Sequence, residues 1–140
     1  MENFTVFIAN HMGLFYILAV TMIALMIVEL LRVKRGHARV APAAAVLMIN
    51  KDNAVVIDIR NKESFQKGHI VDAVNLPLTE LPAATKKLDK YKNKPMIIVC
   101  GSGADSQKAA ANLSERGYNA FILAGGIRAW SGADLPLVKE

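Results

Sequence analysis

The sequence predicts an α/β protein, a doubly wound parallel sheet flanked by helices, preceded by one N-terminal transmembrane helix. From about residue 40 onward, short β-branched runs alternate with helix-forming runs, which is typical of a parallel sheet covered on both faces. Before that point, residues 12–28 carry no charged side chain. At 140 residues the chain has room for one ordinary domain besides this segment. We therefore expect an anchor with a basic flank at residues 1–35 and a single domain at residues 36–140.

The uncharged segment is long enough to cross a membrane. Together with residues 4–10 it makes roughly 25 mostly apolar positions, and a helix needs about 20 to span the hydrocarbon core. A secretory signal peptide is the alternative, and it would begin with positive charge and carry a shorter apolar core. Glu2 stands near the start, and the first basic residue is Arg32. We therefore expect an uncleaved anchor that contacts the lipid bilayer through residues 12–31.

The basic residues after this segment predict its orientation. Arg32, Lys34, Arg35 and Arg39 all follow the apolar run, and basic flanks stay on the cytoplasmic side of a membrane. The N-terminus should then lie outside and the domain in the cytoplasm. These four residues also account for part of the net charge of +5. No basic stripe interleaved with aromatic residues follows, which argues against binding to nucleic acid.

The elements of the domain follow from the pattern of apolar and turn residues. Buried parallel strands are expected at residues 54–60, 73–78, 96–100 and 118–126, the last ending in a glycine turn. After a linker at about residues 32–40, helices or helical turns are expected at residues 40–50, 61–69, 79–94, 106–117 and 127–133. Pro42 suits the start of the first helix, where its missing N–H costs little. Asp105 or Ser106 is expected to cap the fourth helix, and Trp130 is expected in the core.

Cys100 is the only cysteine, and it stands where a predicted strand gives way to the glycine-rich sequence GSGADS. Ligands bind parallel sheets outside the carboxyl ends of the strands, where such loops lead into helices. Backbone amides of the loop and the helix dipole would favour a thiolate, and hence a nucleophile. Cysteine is also one of the commonest core residues, so position alone leaves a buried structural thiol equally open. A lone cysteine forms no internal disulfide and fits a reducing compartment.

Three separated blocks resemble the rhodanese-like domain family, in the same order along the chain. They are Asp58-x-Arg60 with Gly68-His69-Ile70, the cysteine loop at residues 97–103, and Gly125-Gly126 with Trp130. The resemblance covers about residues 40–137. With the N-terminal span, the chain resembles the membrane-anchored single-domain members of this family in bacteria. The resemblance implies residence in the bacterial inner membrane and transfer of sulfane sulfur through a cysteine persulfide.

The resemblance also implies the roles of individual residues. Cys100 matches the persulfide carrier, and the substrate-binding loop matches Gly101, Ser102, Gly103, Ala104, Asp105 and Ser106. Asp58, Arg60 and His69 match framework positions near the site. The partners implied are a sulfur donor and a sulfur acceptor. The sequence shows neither metal-ligand spacing nor a cofactor motif, so we expect no metal and no cofactor.

The loop departs from the family pattern at Asp105, where many catalytic members carry a basic residue. A carboxylate there opposes a thiolate and repels a dianion such as thiosulfate, unless it is engaged in capping the next helix. We therefore expect weak use of thiosulfate, with a protein-bound or small persulfide as possible donors. Related phosphatases need a loop one residue longer that ends in Arg. Ser106 holds that position, which argues against a phosphatase.

Two functions from different classes remain open. The first is a membrane-tethered sulfurtransferase with Cys100 as its nucleophile, passing sulfur to an external acceptor because the chain holds no second cysteine. The second is a non-catalytic interaction module that acts as an adaptor for a membrane-protein partner. Cys100 favours the first, and Asp105 favours the second. For the adaptor, residues 79–94 or the anchor would make the contacts.

Overall fold

The computed structural model describes residues 2–35 and 37–140, which divide into two compact units, Met1–Gly36 and His37–Glu140. The N-terminal unit consists of helices α1 (Glu2–Asn10) and α2 (Met12–Arg35), which meet at His11. Within α2, Met12–Leu31 has a mean hydropathy of 2.5, and none of its most apolar part is buried. A helix of this length and composition suits a membrane span, and an N-terminal signal sequence meets the same criteria.

The C-terminal unit is built on a five-stranded sheet in which every neighbouring pair is parallel. The strand order is β1-β5-β4-β2-β3. The strands are β1 (Arg39–Val40), β2 (Val55–Asp58), β3 (Val74–Asn75), β4 (Met96–Val99) and β5 (Ala120–Leu123). The central strands of the sheet consist mainly of apolar, β-branched residues, and β4 is buried along its whole length. The helices between them are α3 (Pro42–Lys51), α4 (Lys62–Lys67), α5 (Thr85–Asp89), α6 (Ser106–Glu115) and α7 (Gly126–Gly132).

Helices cover both faces of the sheet because alternate strand residues point to opposite sides. On one face, Ile57, Ile98 and Ile122 pack with buried residues of α5 and α6. On the other face, Val56 and Ile97 pack with buried residues of α3 and α7, among them Trp130. The predicted doubly wound parallel sheet flanked by helices is therefore confirmed.

The strands are shorter than predicted, and one of them was placed in a linker. The strand predicted at residues 54–60 comprises Val55–Asp58, and that predicted at 73–78 comprises Val74–Asn75. Strand β1 lies where the sequence suggested a linker and the start of a helix. It pairs with β5 through Arg39 opposite Ile122 and Val40 opposite Leu123. A strand of two residues is too short to show a periodic pattern in the sequence. It is defined only by its pairing with the neighbouring strand.

The single polar helix predicted at residues 79–94 is wrong. The segment contains a 3-10 turn at Leu81–Ala83, the short helix α5, and then irregular turns. Pro82 explains the break, since proline lacks an amide donor and disfavours helical backbone at the residue before it. The segment is held instead by the burial of Leu81 and Leu88 against the sheet.

Candidate functional site

The candidate site lies at the carboxyl ends of β2 and β4, the two central neighbours in the sheet. From β2 the chain continues on one side to β3, whereas β4 and β5 lie on the other side. Asp58 pairs in register with Val99, and the amide of Ile59 donates to the Val99 carbonyl at 2.9 Å. The residues that follow these strands, Arg60 and Cys100, are therefore brought to one edge. This reversal of direction is the position at which open α/β sheets bind their ligands.

Cys100 is held in the loop by a backbone hydrogen bond to its sulfur. The amide of Gly103 donates to Cys100 Sγ at 2.8 Å, and the cysteine is 4% exposed. Gly103 adopts a φ of +93°, a left-handed conformation that glycine takes without strain. This turn brings the amide back over the thiol. Hydrogen bonds to ionised acceptors are stronger than those to neutral ones, so this amide is positioned to stabilise negative charge on the sulfur during a reaction.

The start of α7 packs directly against the cysteine loop. The amide of Ile127 donates to the Cys100 carbonyl at 2.9 Å, and the amide of Arg128 donates to the Gly101 carbonyl at 3.4 Å. Gly126 permits this approach, since a Cβ built on it would lie 2.3 Å from the Cys100 carbonyl oxygen. The sequence indicated a glycine turn at this point but not its contact with the loop. The only sequence signal for this contact is the Gly125-Gly126 pair.

The end of the cysteine loop does not cap α6 with a side chain. Asp105 precedes the helix with helical backbone angles, φ −79° and ψ −17°, and makes no side-chain capping bond. Asp105 therefore holds the predicted N-cap position, but its backbone is not the extended one that a capping side chain usually needs, and the predicted capping bond is not formed. Ser106 is the first helical residue; its Oγ is buried and has no hydrogen-bond partner among residues 2–35 and 37–140. Asp105 is exposed, so solvent screens its carboxylate from the thiol.

The remaining loop residues differ in their access to solvent. Ser102 and Ala104 are exposed, and Gly101 is partly buried. Gly103 is buried beneath the Gly125-Gly126 turn, whose Gly125 amide would lie 3.4 Å from a Cβ on Gly103. The loop predicted to bind substrate is thus folded around the sulfur on one side and open on the other.

Asp58, Arg60 and His69 are engaged in contacts within the domain. Asp58 is 1% exposed and accepts hydrogen bonds from the Arg60 amide, Nε and Nη2, the last at 2.6 Å. Arg60 Nη2 also donates to the Gly68 carbonyl at 2.8 Å. His69 is buried, its Nδ1 lies 2.9 Å from the Phe65 carbonyl oxygen, and its ring stacks on Phe65 at 3.8 Å. Across the described parts of the chain, no cluster of three metal-ligating side chains occurs.

Comparison with known proteins places this architecture in a family. The model of the rhodanese-like domain matches residues 41–133. The uncharacterized protein YibN of Escherichia coli is 34% identical over 145 residues, covering 99% of each chain. The thiosulfate sulfurtransferase GlpE of Coxiella burnetii is 32% identical over 84 residues, covering 59% of this chain and 77% of its own.

Solved structures agree with these relatives. The BH2092 protein of Bacillus halodurans is 26% identical and superposes with a TM-score of 0.66, covering 77% of this chain and 81% of its own. The fold of the C-terminal unit is therefore shared with solved proteins. The family match spans well over half of the residues, and relatives named as sulfurtransferases lie within it. The chain belongs to the rhodanese-like domain family.

Proposed function

We propose that this protein is a membrane-tethered sulfurtransferase in which Cys100 carries sulfane sulfur as a persulfide. The observation that supports it best is the hydrogen bond from the Gly103 amide to Cys100 Sγ at 2.8 Å. This donor contacts the sulfur that carries the negative charge of the attacking thiolate and that becomes the inner sulfur of the persulfide. Relatives named thiosulfate sulfurtransferase and sulfurtransferase support the same reaction class.

The reaction takes two displacements at sulfur with no net oxidation. The Cys100 thiolate attacks the outer sulfur of a donor persulfide, the donor S–S bond breaks, and its electron pair leaves on the donor thiolate. A Cys100 persulfide results. An acceptor thiolate then attacks the outer sulfur of that persulfide, and the Cys100 thiolate departs. Cys100 is the only cysteine of the chain, so the acceptor comes from outside.

The loop residues and the framework residues have different roles in this proposal. Residues 101–106 form the loop around the transferred sulfur, and its amides stabilise the negative charge. Asp58, Arg60 and His69 hold the loop's surroundings in place and do not react. Asp105 stands where many catalytic members of the family carry a positively charged residue. The negative charge of Asp105 therefore disfavours binding of the dianion thiosulfate. Small or protein-bound persulfides are the better donors.

The N-terminal helix is proposed to anchor the domain at the bacterial inner membrane. Met12–Leu31 is long and apolar enough to span the bilayer. The basic residues that follow it favour a cytoplasmic location for the domain, with the N-terminus outside. This location supplies the reducing environment in which an unpaired thiol remains available for sulfur chemistry.

The test is sulfur uptake by the full-length protein in detergent micelles. The protein is exposed separately to thiosulfate and to a small-molecule persulfide, and its intact mass is measured. We expect the mass of one sulfur atom to be added rapidly from the persulfide and slowly from thiosulfate. The Cys100→Ser variant should add none, and Asp105→Arg should accelerate uptake from thiosulfate by about tenfold, since it exchanges a repulsive charge for an attractive one.

A negative result is equally informative. Wild-type protein that gains no sulfur from either donor would contradict the sulfurtransferase and leave the adaptor for membrane proteins as the function. If wild-type protein and the Asp105→Arg variant take up sulfur from thiosulfate at equal rates, Asp105 does not determine the choice of donor.

A further inference from the structure

A basic cleft lies beside the cysteine loop, between the segment that follows β2 and helix α7. It is a shallow depression, open to solvent, with a volume of about 540 Å³. Arg60, Ser64 and Lys67 line one wall, and Arg128 and Ser131 line the other. We call these five residues the basic cleft. Thiosulfate alone would fill only a small part of this volume.

The basic cleft carries positive charge that nothing on its walls neutralises. Neither Asp nor Glu lines it. Arg60 is already paired with the buried Asp58, so its charge is balanced within the domain. Lys67 and Arg128 are exposed, and in the described part of the chain neither side chain makes an ion pair or a hydrogen bond. Two cations and two serine hydroxyls therefore face an open volume without an anionic partner.

The basic cleft is joined to the reactive cysteine through α7. Arg128 follows Ile127, whose amide donates to the Cys100 carbonyl, and its own amide donates to the Gly101 carbonyl. On the opposite wall, Arg60 is the second residue after β2, and Asp58 at the end of β2 pairs with Val99, which precedes Cys100. A molecule in the cleft is thus held next to the loop that contains the nucleophile.

We propose that the basic cleft docks the carboxylates of a small thiol persulfide while its sulfur reaches Cys100. Arg128 and Lys67 are the residues that bind the carboxylates, since guanidinium and ammonium groups form charge-assisted hydrogen bonds with them. This inference rests on the proposed sulfurtransferase function and assigns the class of donor. The basic cleft supplies, from α4 and α7, positive charge that the loop lacks at Asp105.

The docked donor reacts by the displacement already described. Its outer sulfur passes to Cys100, and its S–S bond breaks. The thiolate that leaves keeps its carboxylates in the cleft until it dissociates. A persulfide without carboxylates meets the same thiol but gains nothing from Lys67 and Arg128. A preference for the donor with carboxylates over the donor without them is therefore the property that tests the cleft.

The experiment compares two donors on the full-length protein in detergent micelles. Uptake of sulfur by Cys100 is followed by intact mass with glutathione persulfide, which carries carboxylates, and with the persulfide of mercaptoethanol, which carries none. For the double variant Lys67→Gln/Arg128→Gln we expect about tenfold slower uptake from glutathione persulfide and unchanged uptake from the neutral donor. The matched control is Lys62→Gln/Arg39→Gln, which removes the same charges outside the cleft and should change neither rate.

Two outcomes would overturn the proposal: equal slowing with both donors, which indicates a general disturbance of the loop, or no slowing with either. A second measurement separates failure of the cleft from failure of the sulfurtransferase. Binding of the unreactive S-methylglutathione to the Cys100→Ser variant is titrated by calorimetry, with and without the double substitution. Binding that the double variant loses supports the cleft even where wild-type protein takes up no sulfur. The cleft is contradicted if the double variant still binds S-methylglutathione, or if the protein without the double substitution does not bind it. Sulfur uptake only from a persulfide carrier protein would indicate a protein donor instead.

Discussion

Gly126 sets how closely α7 approaches the cysteine loop. It adopts a φ of +61°, and a Cβ there would lie 2.3 Å from the Cys100 carbonyl oxygen and 2.9 Å from the Gly103 amide nitrogen. These backbone atoms belong to the loop whose Gly103 amide contacts the thiol. The loop therefore has its shape partly because a residue distant in sequence has no side chain.

Replacement of Gly126 by Ala should disturb both stability and the thiol. The new methyl group meets backbone rather than a flexible side chain, and the left-handed conformation disfavours alanine. We expect a loss of at least about 2 kcal/mol in the free energy of unfolding. Thermal unfolding of the full-length protein in micelles, followed by fluorescence of the only tryptophan, Trp130, measures this loss.

Gly101→Ala is the matched control for that stability measurement. A Cβ at Gly101 has no neighbour within 4 Å, and the residue has no left-handed φ. The control should cost less than about 0.5 kcal/mol. Equal losses for the two variants would show that the contact between Gly126 and the loop is not what stabilises the site.

The sequence could place Cys100 at the end of a strand, in the candidate site, but could not predict what surrounds it. The apolar run before it and the glycines after it are local signals, and they place it at the end of a strand. The approach of Gly126 is a contact between distant segments, and glycine alone does not say which backbone it touches. The same holds for Arg128, which became part of the candidate site only because α7 begins against the loop.

At the scale of elements, a buried ion pair connects the end of β2 with the end of α4. Asp58 accepts hydrogen bonds from Arg60, and Arg60 donates onward to the carbonyl of Gly68, the residue that closes α4. The Arg60 side chain is 14% exposed and that of Asp58 is 1% exposed. The pair thus holds the turn between strand and helix at the edge where Cys100 lies.

Asp58→Asn should destabilise the domain strongly. The substitution keeps the shape of the side chain but leaves the charge of Arg60 without its counterion in a mostly buried position. Breaking such a pair from one side costs about 3–5 kcal/mol. Thermal unfolding read by Trp130 fluorescence measures the loss, with Asp52→Asn, an exposed carboxylate, as the control that should cost less than about 0.5 kcal/mol. A similar, small loss for both variants would contradict a framework role for the pair.

The elements divide into those that local sequence predicts and those that it does not. Strands β2, β4 and β5 and helix α6 follow from apolar runs and turn residues, because burial on both faces leaves a continuous apolar pattern. Strand β1 exists because two residues pair with β5, which no local pattern announces. The helix predicted at residues 79–94 overlooked Pro82, whose ring prevents a continuous helix through the start of the segment; Pro82 does not account for the end of α5 at Asp89.

At the scale of the whole molecule, the buried core belongs to one unit only. Both apolar clusters of the sheet consist of residues between 40 and 135. In the described part of Met1–Gly36, the large apolar side chains of α2 are exposed, as in Tyr16 at 73% and Leu25 at 65%. An exposed apolar surface of that extent is typical of a segment that contacts lipid or another protein. The two units therefore differ in the burial of their apolar side chains.

Removal of residues 1–36 should leave a folded, water-soluble domain. The sheet, its covering helices and the candidate site all lie in residues 37–140, so the free energy of folding does not depend on the anchor. We expect the fragment to elute as a single species without detergent and to unfold cooperatively, with a midpoint within a few degrees of that of the full-length protein in micelles. Size-exclusion chromatography and Trp130 fluorescence measure the two properties. An aggregated or unfolded fragment would contradict the independence of the domain. Full-length protein that stays monodisperse without detergent would contradict the anchor instead, since the apolar side chains of α2 would then have found another partner.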